Sequence, residues 1–169
     1  MKIGVMTFHA SYNCGSMLQA FALQQTLKRK YDANVEIIDY SNWHQRNMYN
    51  LFDIRPNKNA IIYDLKIMPY ISIMQKLRAD YKKFLKTQLI LSPKRYTRWS
   101  QLPGVEKNYD MLIAGGDQVW NIRCRDHDDA YYLNFAKNIQ KVAYSPSLGA
   151  QNILQYAENP NVYQNYLEE

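Results

Sequence analysis

Cysteine, glycine and proline are all scarce in this 169-residue chain, at two, six and six residues. Cys14 and Cys124 are too few for the framework of a disulfide-stapled secreted domain. Neither belongs to a CxxC pair of the kind that holds zinc or runs redox chemistry. The paucity of glycine and proline excludes collagen-like and low-complexity chains. No apolar run approaches the roughly 20 residues of a membrane-spanning helix. The first residues read as a strand, with neither the basic head nor the cleavage site of a leader. A reducing, cytoplasmic setting is the expectation. G-x-G-x-x-G is missing, which disfavours a dinucleotide site. So is any helix-turn-helix, zinc or aromatic-repeat module, so no nucleic-acid partner is expected. The acidic run Asp126, His127, Asp128, Asp129 lacks a ligand spacing with a mechanism behind it and reads as a solvated loop, and no metal is expected.

What is present is the composition of an ordinary globular protein, 47% hydrophobic and 21% charged, at a length that suits one domain. The net charge is +6, and much of it falls between Lys76 and Arg98. Around that stretch Met74, Leu77, Tyr81, Leu85 and Gln88 share one helical face, with Lys76, Lys82, Lys83 and Lys86 elsewhere around the helix. This reads as a solvated outer face. Contact with an anionic membrane surface or an acidic glycan is the other reading. Fifteen tyrosines suit carbohydrate surfaces, interfaces and packed cores equally.

The pattern predicts a strand over 2–8, a helix over 16–30 and a strand over 35–39. A polar, aromatic excursion loop follows over 40–59, then helices over 60–68 and 71–89. A connecting segment at 92–104 leads to strands at 111–114 and 140–144. A tail from 151 reads as short helices interrupted at Pro160. Strands alternating with helices imply a mainly parallel sheet covered on both faces. The reading is one Rossmann-like α/β domain over 1–150, with 151–169 as a helical tail.

Two segments carry the candidate chemistry. Met111 to Ala114 stops at Gly115-Gly116 and is followed at once by Asp117, Gln118, Val119, Trp120 and Asn121. A buried strand ending in glycines and a polar cluster is how α/β proteins present a site at the carboxyl edge of a sheet. The first strand similarly runs into His9, Tyr12, Asn13, Cys14 and Gly15 before a helix, the half-unit that binds anions.

Together, the Thr7–Ala20 segment (T-F-H-x-x-Y-N-x-G-x-x-L-Q-A) and Gly115–Asn121 (G-G-D-Q-V-W-N) resemble the polysaccharide pyruvyl transferase family. Further matches are Ile37-Ile38-Asp39-Tyr40, Tyr131-Tyr132-Leu133-Asn134-Phe135, and Ala143-Tyr144-Ser145 leading to Ser147-Leu148-Gly149. The resemblance covers residues 1–149. Departures from the pattern include Gly116, where relatives often have Ser, and Pro146, which interrupts a run of small residues.

The resemblance implies a Rossmann-like parallel sheet similar to the N-terminal domain of a two-domain GT-B protein. It implies transfer of a pyruvyl group from phosphoenolpyruvate, as donor substrate, to two hydroxyls of a sugar during surface glycan biosynthesis. No cofactor is implied. The partners would be phosphoenolpyruvate and a glycan or lipid-linked sugar acceptor, with peripheral contact at the inner face of the membrane as a further expectation. This chain would supply the acceptor-side domain, inactive alone, its tail starting a linker to a second domain that holds the donor.

His9 and Asp117 are the candidate catalytic residues. An imidazole suits proton transfer near neutral pH, and a carboxylate at a sheet edge can orient or deprotonate a hydroxyl. Tyr12, Asn13, Gly15, Gly116, Gln118, Trp120, Asn121, Tyr144 and Ser145 are the candidate substrate-binding residues, with Trp120 as a stacking surface for a sugar ring. Each has a bland counterpart: His9 steadying its loop, Asp117 capping a turn, Trp120 in the core. A non-catalytic glycan-binding or interaction module and a GT-B glycosyltransferase domain stay open as alternatives.

Overall fold

The structure, a computed structural model, describes residues 1–52, 58–149 and 152–168. Parts of the expected excursion loop and of the tail lie outside the described residues.

In β1 (Lys2–Met6) the side chains alternate between two apolar clusters: Ile3 and Val5 enter one, Met6 the other. A strand buried on both faces belongs inside a parallel sheet. β1 pairs in parallel with β2 (Asn34–Ile37) on one side and with β3 (Met111–Gly115) on the other. β4 (Gln140–Tyr144) pairs outside β3, giving the order β2-β1-β3-β4. The expected strands at 2–8 and 35–39 run two residues longer than the ladder, because 7–8 and 38–39 already leave it as loop. The chain turns from β1 to one neighbour in sequence and meets the other in space. The crevice between the carboxyl ends of β1 and β3 is therefore the switch point at which such sheets bind ligands.

α1 (Cys14–Tyr31) forms because both ends are specified. Asn13 is extended, and its side chain accepts from the Gly15 and Ser16 amides at 2.8 and 3.4 Å, satisfying N–H groups that have no partner within the helix. Met17, Ala20, Leu23 and Leu27 bury the face toward the sheet. Lys28, Arg29 and Lys30 lie at the negative end of the dipole, and Asp32 closes the helix in a left-handed conformation at φ 46°.

Within the stretch expected to be irregular lies a short helix, α2 (Trp43–Met48). The missed signal is Asn42, whose side chain accepts from the Gln45 amide at 2.8 Å as a cap. α3 (Lys58–Ile67) and α4 (Ile71–Gln88) follow, joined by a tight turn at Met68–Tyr70. In the tail, α5 (Ile153–Tyr156) precedes α6 (Pro160–Glu168). Pro160 begins the last helix instead of breaking it, as its missing N–H allows at a first turn.

α1 covers one face of the sheet. The other face is covered by irregular segments and tight helical turns that bring Phe8, Tyr40, Leu102, Tyr131 and Phe135 together. Phe8 and Tyr131 meet edge to face at 4.8 Å. Much of the tyrosine content is thus core, which decides between the three uses open from composition for Tyr40, Tyr131 and Tyr132. Among the described residues, no helix is long and apolar enough to cross a membrane.

Candidate functional site

At the switch point the loops after β1 and β3 are joined directly. The Ser16 hydroxyl, in the first turn of α1, donates to Asp117 Oδ2. Asp117 Oδ1 accepts from the Gln118 amide at 2.8 Å, and its backbone carbonyl accepts from Ser147 N–H at 2.9 Å. Three strand ends therefore converge on one residue. Their backbones share a further property: Tyr12, Asp117 and Ser145 all have positive φ, at 39°, 61° and 49°. Left-handed conformations disfavour side chains, and such residues cluster where the surrounding structure holds a site in shape. Gly116, at φ 66°, has the Gln19 side chain where a Cβ would stand.

A cavity of about 240 Å³ opens beside Asp117, lined among others by Ser16, Tyr49, Cys124, Arg125 and Asp126. Its electrostatics are set by two carboxylates. Burial raises Asp126, and the Asp117 charge adds to this against a hydrogen bond from its own backbone and the His127 charge. Burial and the charges of Asp126 and Asp117 also raise the Cys124 thiol. The Tyr49 phenol is pushed up to about 12, by burial first and then by Asp126. The cavity thus combines two carboxyl groups and the Arg125 guanidinium with a thiol and a phenol that stay protonated, a lining that offers both donors and acceptors to a hydroxylated ligand.

The expected site residues divide between this cavity and other duties. Asp117 and Gln118 line it. Gln118 Oε1 accepts from Asn121 Nδ2 at 2.8 Å and from the Cys124 thiol at 3.7 Å, so buried Asn121 holds Gln118 in place. Asn13 and Gly15 shape the helix entry through the cap. His9 is fully buried: Nε2 lies 3.1 Å from Asp39 Oδ1 and Nδ1 lies 3.2 Å from the Thr7 carbonyl. Its loop is at the same sheet edge, but the ring faces β2 and is not among the residues lining the Asp117 cavity. Asp39 is held below its ordinary value, because the hydrogen bonds and charges of His9 and Arg95 outweigh its burial.

Trp120 donates from Nε1 to the Tyr131 carbonyl at 3.0 Å and stacks on Tyr132 with centroids 5.0 Å apart, which occupies one ring face with protein. Tyr12 stacks on Tyr81 at 5.9 Å. Tyr144 is exposed and its carbonyl accepts from Gly116 N–H at 2.9 Å, while Ser145 is exposed beside it.

The acidic run is not the solvated loop expected of it. Asp126 is buried against the cavity. His127 lies 3.3 Å from Asp129. Asp128 accepts from the Tyr40 hydroxyl at 2.7 Å and from Asn42 at 3.0 Å. Charge density suggested solvent, whereas the neighbouring tyrosines supply donors that let these carboxylates be covered. Asp126 and Ser16 are the site residues that the sequence reading missed. Ser16 carried a signal, since it follows Asn13 in the first turn of a helix after a strand. Asp126 carried none, because its partner is nine residues away in a different turn. Among the described residues, no group of three or more His, Cys, Asp or Glu side chains could hold a metal ion.

Tyr163 and Tyr166 of α6 reach the same region, Tyr166 donating to Asp129 at 3.2 Å and both rings packing on Tyr132. The tail therefore docks onto the segment that carries the acidic run.

Comparison with known proteins gives one family: a family model of polysaccharide pyruvyl transferases matches residues 13–167. The match starts at the cap of α1 and continues past Gly149 through the tail, so it spans nearly the whole chain. No curated protein and no solved structure matches.

Proposed function

The chain belongs to the polysaccharide pyruvyl transferase family, and from that premise we propose that it is the acceptor-side domain of a transferase that forms a pyruvyl ketal. The observation that supports this reading is the Ser16, Asp117 and Asp126 group around one cavity at the β1/β3 switch point. A sugar offering two hydroxyls needs acceptors that orient them and a group that takes a proton, and Asp117 meets both needs.

In this proposal the donor is phosphoenolpyruvate. Its methylene carbon takes a proton and becomes a methyl group, leaving an oxocarbenium-like carbon. The first sugar hydroxyl attacks that carbon and passes its proton to Asp117. The bond from carbon to phosphate oxygen breaks, and the second hydroxyl closes the ketal. The two hydroxyl protons end on the methyl group and on the released phosphate, so the reaction balances. Asp126, raised by burial first, retains its proton to higher pH than an ordinary carboxyl, and in this reading it serves as the acid beside Asp117. Arg125 is the cation lining this cavity. The remaining groups that hold the donor's phosphate and carboxylate belong to the donor-holding domain in this reading. The acceptor is a glycan or lipid-linked sugar, met at the cytoplasmic face of a membrane.

The test is phosphate release from phosphoenolpyruvate by the full-length protein with a panel of glycan acceptors. Asp117→Asn should keep the melting temperature and lower the rate by roughly 10²–10⁴, the usual cost of removing a positioned acid or base. Wild-type rates in that variant would leave Asp117 as a residue that only holds its turn.

A further inference from the structure

Beside the Asp117 cavity lies a second, larger one of about 400 Å³, lined by Arg46, Arg78, Lys82, Lys86 and Arg95 with Tyr12 and Tyr49 as aromatic walls. Five cations and no carboxylate appear among its lining residues. Asp39 stands behind Arg95, with Oδ1 3.6 Å from Nε, and Arg95 remains half exposed. Three of the cations come from one helix at four-residue intervals, Arg78, Lys82 and Lys86 of α4. Lys82 and Lys86 are exposed, as expected of a solvated face, and with Arg78 they form a stripe that lines a cavity. Like charges four residues apart weaken a helix. Arg78 is also fixed in position, donating to the Tyr49 carbonyl with its guanidinium 5.5 Å from the Tyr12 ring. Planar guanidinium forks held beside mobile ammonium groups match the oxygens of phosphate esters.

Tyr49 lines both cavities, so the two lie next to each other. The hydroxyl-orienting carboxylates are in the smaller cavity with a single cation, Arg125, and five cations are in the larger. A small donor whose charges lie next to its reacting carbon needs its cations beside Asp117. The cations one cavity away instead suit an anionic group carried at the far end of the acceptor. Five positive charges also exceed what a single carboxylate requires.

Building on the function proposed above, we propose that the α4 stripe and Arg46 form the binding site for a diphosphate ester on the sugar acceptor. The sugar then extends past Tyr49 toward Asp117. A nucleotide-linked sugar and a lipid-linked sugar share this chemistry. Because exposed cations attract phosphate through a screened field, affinity should fall steeply with added salt.

The experiment is calorimetric titration of inorganic pyrophosphate into the chain, repeated with Lys82→Gln/Lys86→Gln. Both lysines are exposed on α4, so the double variant should fold normally. Binding should weaken at least tenfold in this variant and be unchanged in the control Lys76→Gln/Lys83→Gln. A sugar linked to uridine diphosphate and one linked to a short polyprenyl diphosphate, each competing against pyrophosphate, distinguish the two sources. Displacement by either supports the site. Equal pyrophosphate affinity in wild type and the Lys82/Lys86 variant would overturn it. So would phosphoenolpyruvate displacing pyrophosphate as well as the sugar diphosphates do, since the cavity would then be a donor site. These titrations need no turnover. An unchanged transfer rate in the Lys82/Lys86 variant would sink this inference alone, whereas no phosphate release by the full-length wild type with any acceptor would sink the transferase reading alone.

Discussion

Asp126 and Asp39 are two largely covered carboxyls displaced in opposite directions, and the opposition has a measurable consequence. Asp126 is raised above its ordinary 3.8. Its contribution to stability is therefore complete below that pH and is lost as pH rises through the higher folded value. Asp39 is lowered, so its contribution is present above 3.8 and is lost as pH falls through its folded value. Asp126→Asn should remove only the first effect. Melting temperatures recorded from pH 3 to pH 8 should show a smaller loss above pH 4 for the variant than for wild type, with the acid-side loss unchanged. In the transfer assay the wild-type rate should decline as pH passes the raised Asp126 value, and the variant should lack that limb. Parallel melting curves for the two proteins would contradict the burial argument. At this scale the sequence was legible where a residue's partner is local, as with Asn13 and the helix it caps. It was illegible where the partner comes from another loop. His9 stands in a recognisable motif, yet its ring is committed to Asp39, thirty residues along the chain.

Elements are held to one another by a few buried polar groups, of which Gln24 is the clearest. Fully buried in α1, it donates to the carbonyls of Val35 and Ile90 at 3.0 and 2.7 Å and accepts from Ile90 N–H at 3.0 Å. It ties β2 to the chain that leaves α4, where residues 90–92 and 96 continue the sheet edge beside Ile37 and Asp39. Gln24→Leu removes three hydrogen bonds and takes the partner from the Ile90 N–H, while the Ile90 carbonyl still accepts from Ile37 N–H; an unpaired covered group costs about 1–3 kcal/mol. A loss of about 3 kcal/mol or more is expected in chemical denaturation, together with faster deuterium exchange at the Ile90 amide. Unchanged exchange there would show that the segment holds without the staple. The strands and long helices were readable because their apolar periods and caps are local. α2 was missed because six residues give a period too little length to declare itself, and Gln24 because nothing local marks a helical glutamine as buried.

For the whole molecule, order β2-β1-β3-β4 fixes the site before any side chain is considered, since among the described strands only one neighbouring pair sends its chain in opposite directions. This explains why the two motifs read from sequence converge although a hundred residues separate them. The same sheet is unequally dressed on its two faces. Beside α1 the β3–β4 end leaves a cavity of about 540 Å³, lined mainly by apolar side chains including Ile3, Leu23, Leu27, Met111, Ile113 and Val142. A native protein with so large an open apolar recess will take up environment-sensitive fluorescent dyes before it unfolds. Anilinonaphthalene sulfonate should brighten in the folded protein at room temperature, and Val142→Lys should dim that signal while leaving circular dichroism unchanged. A dark folded state would mean that the recess is closed in solution. Where the signal is bright, a dye-monitored melt of this protein begins from a high baseline, and its apparent midpoint mixes dye release with unfolding. Stability comparisons among its variants are then better read from the backbone than from the dye.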